Sequence, residues 1–389
     1  MKIVIVTNIP SPYRIPLFNQ IHENFKSRNW KLHVIFLTKS YKRRKWKVDE
    51  TDFHFDFEYL KDWHISLGEG FSSLALSLLK SFRSIQPDLI IVAGFSMASL
   101  WTLIYAKMFH IPFLIWSGET IAEDRMRSRF RSLRNILRYT LIQSAAAFVA
   151  YGTEAKKYLL KWKTKPENIF IGINTVDTEF ISKRVKELRL QKQAFLTANR
   201  LPLLNILFIG YLEKRKGVHF ILEAVEKIQK EDLSLCFGTH IVGSGPEEGN
   251  LRNIVEANKL RDVNFWGFKQ KEEIPEFLAF SDLLIFSSIQ ELYGLVPIEA
   301  MAAGVPVLCS VHAGCTIDLV KHNVNGLVID PVNTDKLKEN IIFCLRKPEF
   351  LSTLARNAEN TISSSFKLSD SVRGFAEAIE YVFIRHNHK

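Results

Sequence analysis

Residues 282–310 read DLLIFSSIQELYGLVPIEAMAAGVPVLCS. The run DLLIFSS is a short apolar segment with no polar alternation, as a strand buried on both faces requires. IQELYG supplies turn residues, and Pro297 stands where the first turn of a helix tolerates a missing N–H. The small residues of EAMAAG suit a helix packed closely on a sheet, and VPVLCS is a second apolar strand. Strand, helix and parallel strand in 29 residues is the repeating unit of a doubly wound α/β domain.

The same alternation runs outward in both directions. In the first half, KIVIVT, KLHVIFLT, DLIIVA, PFLIW, AFVAYG and NIFIGI read as strands. Helices are expected at Ile15 to Phe25, over FSSLALSLLKSF, at Ser96–Phe109, near Asp124–Gln143 and from Glu154. After a charged helical segment, SKRVKELRLQKQ, the pattern restarts. NILFIGYL, LCFGTHIVG, VNFWGF, DLLIFSS, VPVLCS and GLVID are its strands, with helices at Val218–Lys230 and Asn250–Lys259. The sequence therefore predicts two doubly wound domains, 1–194 and 195–365. The amphipathic segment at the end (366–389) is assigned to the first, and ligands are expected in a cleft between them, beyond the carboxyl ends of the strands.

At 389 residues the chain has room for two ordinary domains, and 47% hydrophobic with 24% charged residues describes a globular protein rather than a disordered one. Its four cysteines are scattered without a CxxC pair, which argues against a disulfide framework or zinc site and for a reducing cytoplasm. Leu89 to Ala106 carries no charge. Gly94, Ser96, Ser99 and Thr102 interrupt it, so a buried strand and packed helix are expected there, not a membrane span.

Residues 1–200 hold 32 Lys and Arg against 17 Asp and Glu, a balance of +15, whereas 201–389 hold 20 against 24, a balance of −4. The first half is thus expected to meet an anionic surface. Two stretches concentrate the charge. KSYKRRKWKV brings Lys42, Arg43, Arg44 and Lys45 together with Trp46, and RMRSRFRSLRNILRY carries Arg127, Arg131 and Arg134, with Arg138 further along the same expected helix. Cations interleaved with interfacial aromatics suit an anionic bilayer. No helix-turn-helix, zinc-finger or aromatic-sheet signature supports nucleic acid instead.

Within the opening stretch, Gly294 allows a ligand close to the backbone. The N–H groups of Gly294, Leu295 and Val296 would point from a helix start, which suits a phosphate. Glu291 and Glu299 flank that turn, and carboxylates only accept hydrogen bonds, so hydroxyl-rich partners on either side of the phosphate fit them. An acid-rich first helical turn, favoured by the dipole alone, is the plainer alternative.

Glu291 and Glu299 are separated by seven residues, and this stretch resembles the E-x7-E motif of the retaining glycosyltransferases of family 4, which have the GT-B fold. FIGYLEKRKGVHFILEA is similar to that family's glycine strand-end and Lys-Gly segment, IVGSGPEEGNL to its G-x-G-P turn, VNFWGF to its base-side strand, and NTVDTEF to its hinge segment. The likeness spans about residues 170 to 330. It implies a nucleotide-diphosphate sugar as donor, with UDP the commonest nucleotide in such enzymes. Lys216 would hold the diphosphate, aided by Gly210, Arg215 and Gly243. Glu299 would bind the ribose and Glu291 the transferred sugar, over the backbone of Tyr293, Gly294 and Leu295. Trp266, Gly267 and Phe268 would border the base.

The resemblance further implies retention at the anomeric carbon with no metal and no cofactor, and no Asp-x-Asp motif lies beside the donor residues. Two positions depart from the family. Tyr211 stands where an arginine is usual, leaving Arg215 as the substitute, and the loop after PFLIW has Gly118 and Glu119 where a histidine is common. Glu119 becomes the candidate polar group near the reacting carbon, alongside Glu291 and Lys216. Ser11, Tyr13 and Arg14 occupy the place of the family's first glycine-rich loop, where donor and acceptor meet. The leading expectation is a hexosyltransferase of polysaccharide assembly, cytoplasmic and peripheral on the inner face of the plasma membrane. Its acceptor would be a saccharide or lipid-linked saccharide. A GT-B nucleotide-sugar 2-epimerase and a nucleotide-sugar-binding relative without activity are the alternatives.

Overall fold

A computed structural model of the chain describes residues 1–41, 44–62, 64–67, 70–122 and 131–386. It divides into two compact units, Met1–Val176 with Leu368–Lys389, and Asp177–Lys367. The division falls at Val176/Asp177 and not near residue 195. The helix Thr178–Arg189, expected to end the first domain, packs instead on the helices Ile274–Phe280 and Val296–Ala302 of the second unit.

The first unit is built on a parallel sheet of seven strands. They are β1 (Lys2–Thr7), β2 (Lys31–Phe36), β3 (Asp56–Tyr59), β6 (Leu89–Ala93), β7 (Phe113–Ser117), β8 (Ala147–Ala150) and β9 (Ile169–Ile171), in spatial order β3-β2-β1-β6-β7-β8-β9. A separate antiparallel hairpin pairs β4 (His64–Leu67) with β5 (Gly70–Ser73). Continuous apolar runs arise because alternate residues enter different cores. Val4, Val6, Ile90, Val92 and Ile115 enter one, while Ile3, Ile5, Leu89, Ile91 and Trp116 enter the other. Each fully buried Val or Ile contributes roughly 1.5–3 kcal/mol, so neither face tolerates polar alternation. The helices α1 (Ile15–Lys26), α2 (Leu78–Ile85), α3 (Met97–Phe109), α4 (Arg131–Ser144) and α5 (Thr153–Lys161) cover the sheet. FSSLALSLLKSF is only half helical, because Phe71 to Ser73 belong to β5.

The final helix of the chain, Leu368–His386, buries Val372, Phe375, Ala378, Ile379 and Val382 in the second of those cores. Phe375 meets Trp116 edge-on at 5.1 Å, and the Tyr381 hydroxyl donates to Asn168 Oδ1 at 2.6 Å. No helix among the described residues is long and apolar enough to cross a membrane, and the uncharged stretch from Leu89 divides into β6 and α3.

The second unit carries β10 (Asn205–Ile209), β11 (Gly238–Val242), β12 (Val263–Gly267), β13 (Leu283–Phe286), β14 (Val307–Ser310) and β15 (Leu327–Ile329), all parallel, in order β12-β11-β10-β13-β14-β15. Strand order reverses between β10 and β13 here, and between β1 and β6 in the first unit. At such a switch point the loops leaving the carboxyl ends diverge and open a crevice. Each unit thus marks its own binding edge by topology.

Candidate functional site

At the switch point of the second unit, the loop after β10 meets the loop after β13. The turn Lys214–Lys216 precedes the helix Val218–Glu231 and is fastened to the β13 loop at three points. Ser287 Oγ donates to the Lys216 carbonyl at 2.9 Å, Ile289 N–H to the Arg215 carbonyl at 2.8 Å, and Arg215 Nη1 to the Gln290 carbonyl at 2.9 Å. This stitching delivers the Lys216 ammonium directly onto Glu291 Oε2, with the two side chains only 13% and 15% exposed. Two residues singled out separately in the sequence, 75 positions apart, form one largely enclosed ion pair. A cation held in this way can exchange part of its contact with a carboxylate for contact with a phosphate.

The β13 loop continues through Tyr293, Gly294 and Leu295 into the seven-residue helix Val296–Ala302. Gly294 has φ +101°, and a Cβ there would come within 2.9 Å of the Phe286 ring, so this turn is open only to glycine. The N–H groups of Gly294 and Leu295 donate to nothing among the described residues. Tyr293 is 4% exposed, and its hydroxyl is buried without a partner, so only its backbone faces outward chemistry. Glu299 lies one turn into the helix, where burial lifts its carboxyl to about 7, partly offset by the Lys271 charge. Lys271 was not apparent from the sequence, since its approach to Glu299 is a tertiary contact with no local pattern.

The remaining expected donor residues are placed unequally. Gly210 and Gly243 lie at the ends of adjacent strands, with Gly210 N–H donating to the Val242 carbonyl and Gly243 N–H to the Gly267 carbonyl at 2.8 Å. Arg215 is ion-paired with Glu213 at 2.7 Å, which offsets the charge expected to replace that missing at Tyr211. Gly267 has open space where a Cβ would stand, and Phe268 follows it at the same edge. Trp266, the residue before Gly267, is half-buried. Its indole packs edge-on against Phe277 at 5.3 Å, and its Nε1–H donates to His240 Nδ1 at 3.1 Å. His240 Nε2 in turn meets Asn205 Oδ1 at 2.8 Å, and burial holds that imidazole down at about 4. All five residues of β12 are half-buried, so no alternation of burial along the strand sets this tryptophan apart.

In the first unit, Ser11 is buried and accepts the Arg14 N–H at 2.8 Å, shaping the turn that starts α1. Arg14 lies over the Trp116 ring at 4.2 Å and donates to the Tyr151 hydroxyl and to Thr7 Oγ1. Tyr13 meets Trp46 edge-on at 5.8 Å. Glu119 is in an ion pair with Arg138, at 3.2 Å, and the side chains are 14% and 3% exposed. The arginine-rich helix is therefore not a uniform basic face: Arg138 turns inward, and its guanidinium donates to the Tyr158 hydroxyl at 2.5 Å. Arg44 and Trp46, expected at a bilayer, are half-buried and stacked together at 4.3 Å, whereas Lys45 is exposed. Arg134 is half-buried on α4. Lys42, Arg43 and Arg127 lie outside the described residues, as does the side chain of Arg131. Among the described residues no group of three His, Cys, Asp or Glu could hold a metal ion.

The match to a family model lies in the second unit. Residues 191–361 match the model of glycosyl transferases group 1. That segment contains the Lys216–Glu291 pair, Gly294 and Glu299. Among curated relatives, an uncharacterised glycosyltransferase of Haemophilus influenzae is 27% identical over 73% of this chain and 74% of its own length. N-acetyl-alpha-D-glucosaminyl L-malate synthase of Bacillus anthracis is 27% identical over 65% of this chain and 64% of its own. Other relatives match less of their length: two uncharacterised glycosyltransferases of Methanocaldococcus jannaschii and a kanosaminyltransferase of Streptomyces kanamyceticus are covered over 40, 47 and 42%. The solved structure of Anabaena HepE with UDP and glucose superposes with a TM-score of 0.76 at 20% identity, over 98% of this chain and 99% of that one. At that identity the likeness is one of fold, and the two Rossmann-like units are those of the GT-B class.

Proposed function

We propose that the chain is a retaining glycosyltransferase of family 4 type, moving a hexose from a nucleotide-diphosphate sugar to a saccharide or lipid-linked saccharide. The observation that carries this reading is the Lys216–Glu291 pair at the switch point, beside a glycine turn with uncommitted N–H groups and within the segment that matches glycosyl transferases group 1. Lys216 and the Gly294 and Leu295 N–H groups hold the diphosphate and stabilise its growing charge as the sugar leaves. Glu291 accepts from the sugar hydroxyls and Glu299 from the ribose. A diphosphate oxygen takes the proton of the attacking acceptor hydroxyl, so no metal or cofactor is invoked. Positioning and charge stabilisation provide the rate. UDP is the nucleotide proposed, since HepE was solved with it.

Calorimetric titration with UDP, GDP, ADP, CMP and dTDP tests the reading. One nucleotide should bind at micromolar strength, and Glu299→Ala should weaken it by about tenfold or more through the lost ribose contacts. Affinity should also fall as pH drops below about 7, because the acceptor form of Glu299 is the carboxylate and its carboxyl is lifted to about 7. Binding by none of the five, or equal binding by the variant, would sink the proposal.

We also place the enzyme on the cytoplasmic face of the plasma membrane. The support is the +15 of residues 1–200 and the exposed Met108, Phe109, Ile136 and Tyr139 on the neighbouring helices α3 and α4. Co-sedimentation with anionic liposomes at low salt should be strong and should vanish with neutral lipid. Equal recovery with both would remove this part.

A further inference from the structure

Two arginines of the first unit stand apart from Arg28 and Arg138, which are in ion pairs with Glu380 at 3.0 Å and Glu119 at 3.2 Å. Arg14 and Arg44 have no carboxylate partner among the described residues. Each guanidinium lies instead over an indole and bonds a phenol. Arg14 lies 4.2 Å from the Trp116 ring centre and bonds the Tyr151 hydroxyl, while Arg44 lies 4.3 Å from that of Trp46 and its Nε donates to the Tyr41 hydroxyl at 2.8 Å. Tyr13 joins the two sets, edge-on to Trp46 at 5.8 Å and with the Arg14 guanidinium 5.8 Å from its own ring centre.

Four physical facts make this row more than surface charge. Half-buried guanidinium groups without a counter-charge are costly, and Arg14 Nε is buried with no hydrogen-bond partner at all. Arg14 also occupies the N-cap of α1, where the helix dipole disfavours a cation unless an anion joins it. Stacking on tryptophan meanwhile holds each planar fork in place for a bidentate anion. Finally, Arg14 leaves the carboxyl end of β1 at the switch point of this sheet, where a crevice is expected by topology alone.

We propose that the row Arg14–Tyr13–Trp46–Arg44 is the acceptor-recognition site, and that the acceptor is a saccharide bearing an anionic group, a phosphate ester or a carboxylate. This deepens the transferase reading and rests on it. The arginines take the anion, and the aromatic faces take the apolar face of a pyranose ring. Arg44 and Trp46 thereby acquire a role in place of bilayer contact.

The test is binding to the full-length chain, followed by tryptophan fluorescence and calorimetry, of methyl α-D-glucopyranoside, α-D-glucose 1-phosphate and D-glucuronate. At least one anionic sugar should bind about tenfold or more tighter than the neutral glycoside, the ratio an added charge-assisted hydrogen bond gives. Which of the two prevails separates phosphate from carboxylate. Arg44→Gln should erase the preference while leaving nucleotide binding and thermal melting unchanged, and Arg14→Lys should weaken it with the charge retained. Lys216→Ala should leave it intact, because that lysine belongs to the other unit. The proposal is overturned if all three sugars bind alike, if the preference survives Arg44→Gln, or if it disappears in Lys216→Ala, which would put the anion in the second unit. A preference for anionic sugar in a chain that binds no nucleotide would overturn the transferase reading while leaving the anion site standing.

Discussion

Lys216→Ala is expected to lower sugar transfer by about a hundredfold or more, the loss typical of removing one preorganised charge from a group-transfer site. Two effects act in the same direction. The variant lacks the cation that meets the diphosphate as negative charge gathers on the leaving group. It also leaves Glu291, 15% exposed, without the ammonium that offsets its burial, and breaking an enclosed pair in this way costs on the order of 3–5 kcal/mol when the pair is fully dry. Here some water reaches both groups, so the structural cost should be the smaller share. Glu291→Gln separates the two: it keeps a hydrogen-bond acceptor for the sugar but removes the charge partner of Lys216. Its nucleotide affinity should hold or rise, while transfer falls. If Lys216→Ala transfers sugar within about threefold of the natural chain, this lysine is an ordinary helix-start cation and the site is elsewhere.

How far these assignments could be read in the sequence depended on whether the signal was local. Strands buried on both faces announce themselves as unbroken apolar runs, and β1, β6, β7, β10 and β13 carry them. The turn at Gly294 and the proline behind it were equally plain, because both are backbone requirements of one short segment. The unit boundary was not legible, since Thr178–Arg189 is a charged amphipathic helix whose buried Ile181 and Val185 say only that it packs, not on which unit. β3 escaped notice for a similar reason: HFDFEY is short, and its Phe57 and Tyr59 gain their meaning from Phe36 on the neighbouring strand. Charge was the least legible of all. Arg138, Arg44 and Arg215 read alike in the sequence. Yet one is paired inside the fold, one is stacked on tryptophan and one is held by Glu213. Side-chain direction on a helix or loop follows from tertiary packing, which no run of arginines encodes.

Gly243→Ala is expected to be among the most damaging single changes in the second unit. Gly243 has φ +143°, a conformation that side-chain-bearing residues seldom adopt, and an added Cβ would stand 1.8 Å from the Gly210 carbonyl oxygen. That neighbour is backbone, and it cannot swing aside as a lysine tip could. Gly210 is itself bonded to the Val242 carbonyl at 2.9 Å, and Leu212 N–H to Ser244 O at 3.1 Å, so the two strand-end loops are tied on both sides of the clash. Relief requires the loops after β10 and β11 to part. The loop after β10 carries Lys216, so its displacement would carry the ammonium away from Glu291. The strain and the broken ladder together should cost about 3 kcal/mol or more, and nucleotide binding should be lost with it. Gly249→Ala is the matching control, since nothing lies within 4 Å of a Cβ there and the residue sits in the helix Glu248–Ala257. That change should be neutral or stabilising by about 0.5–1 kcal/mol, because alanine loses less chain entropy in a helix. Thermal melting and nucleotide titration of the two variants should therefore diverge widely. Similar melting temperatures and similar affinities would mean that the two loops do not form the rigid frame that holds Lys216 in place.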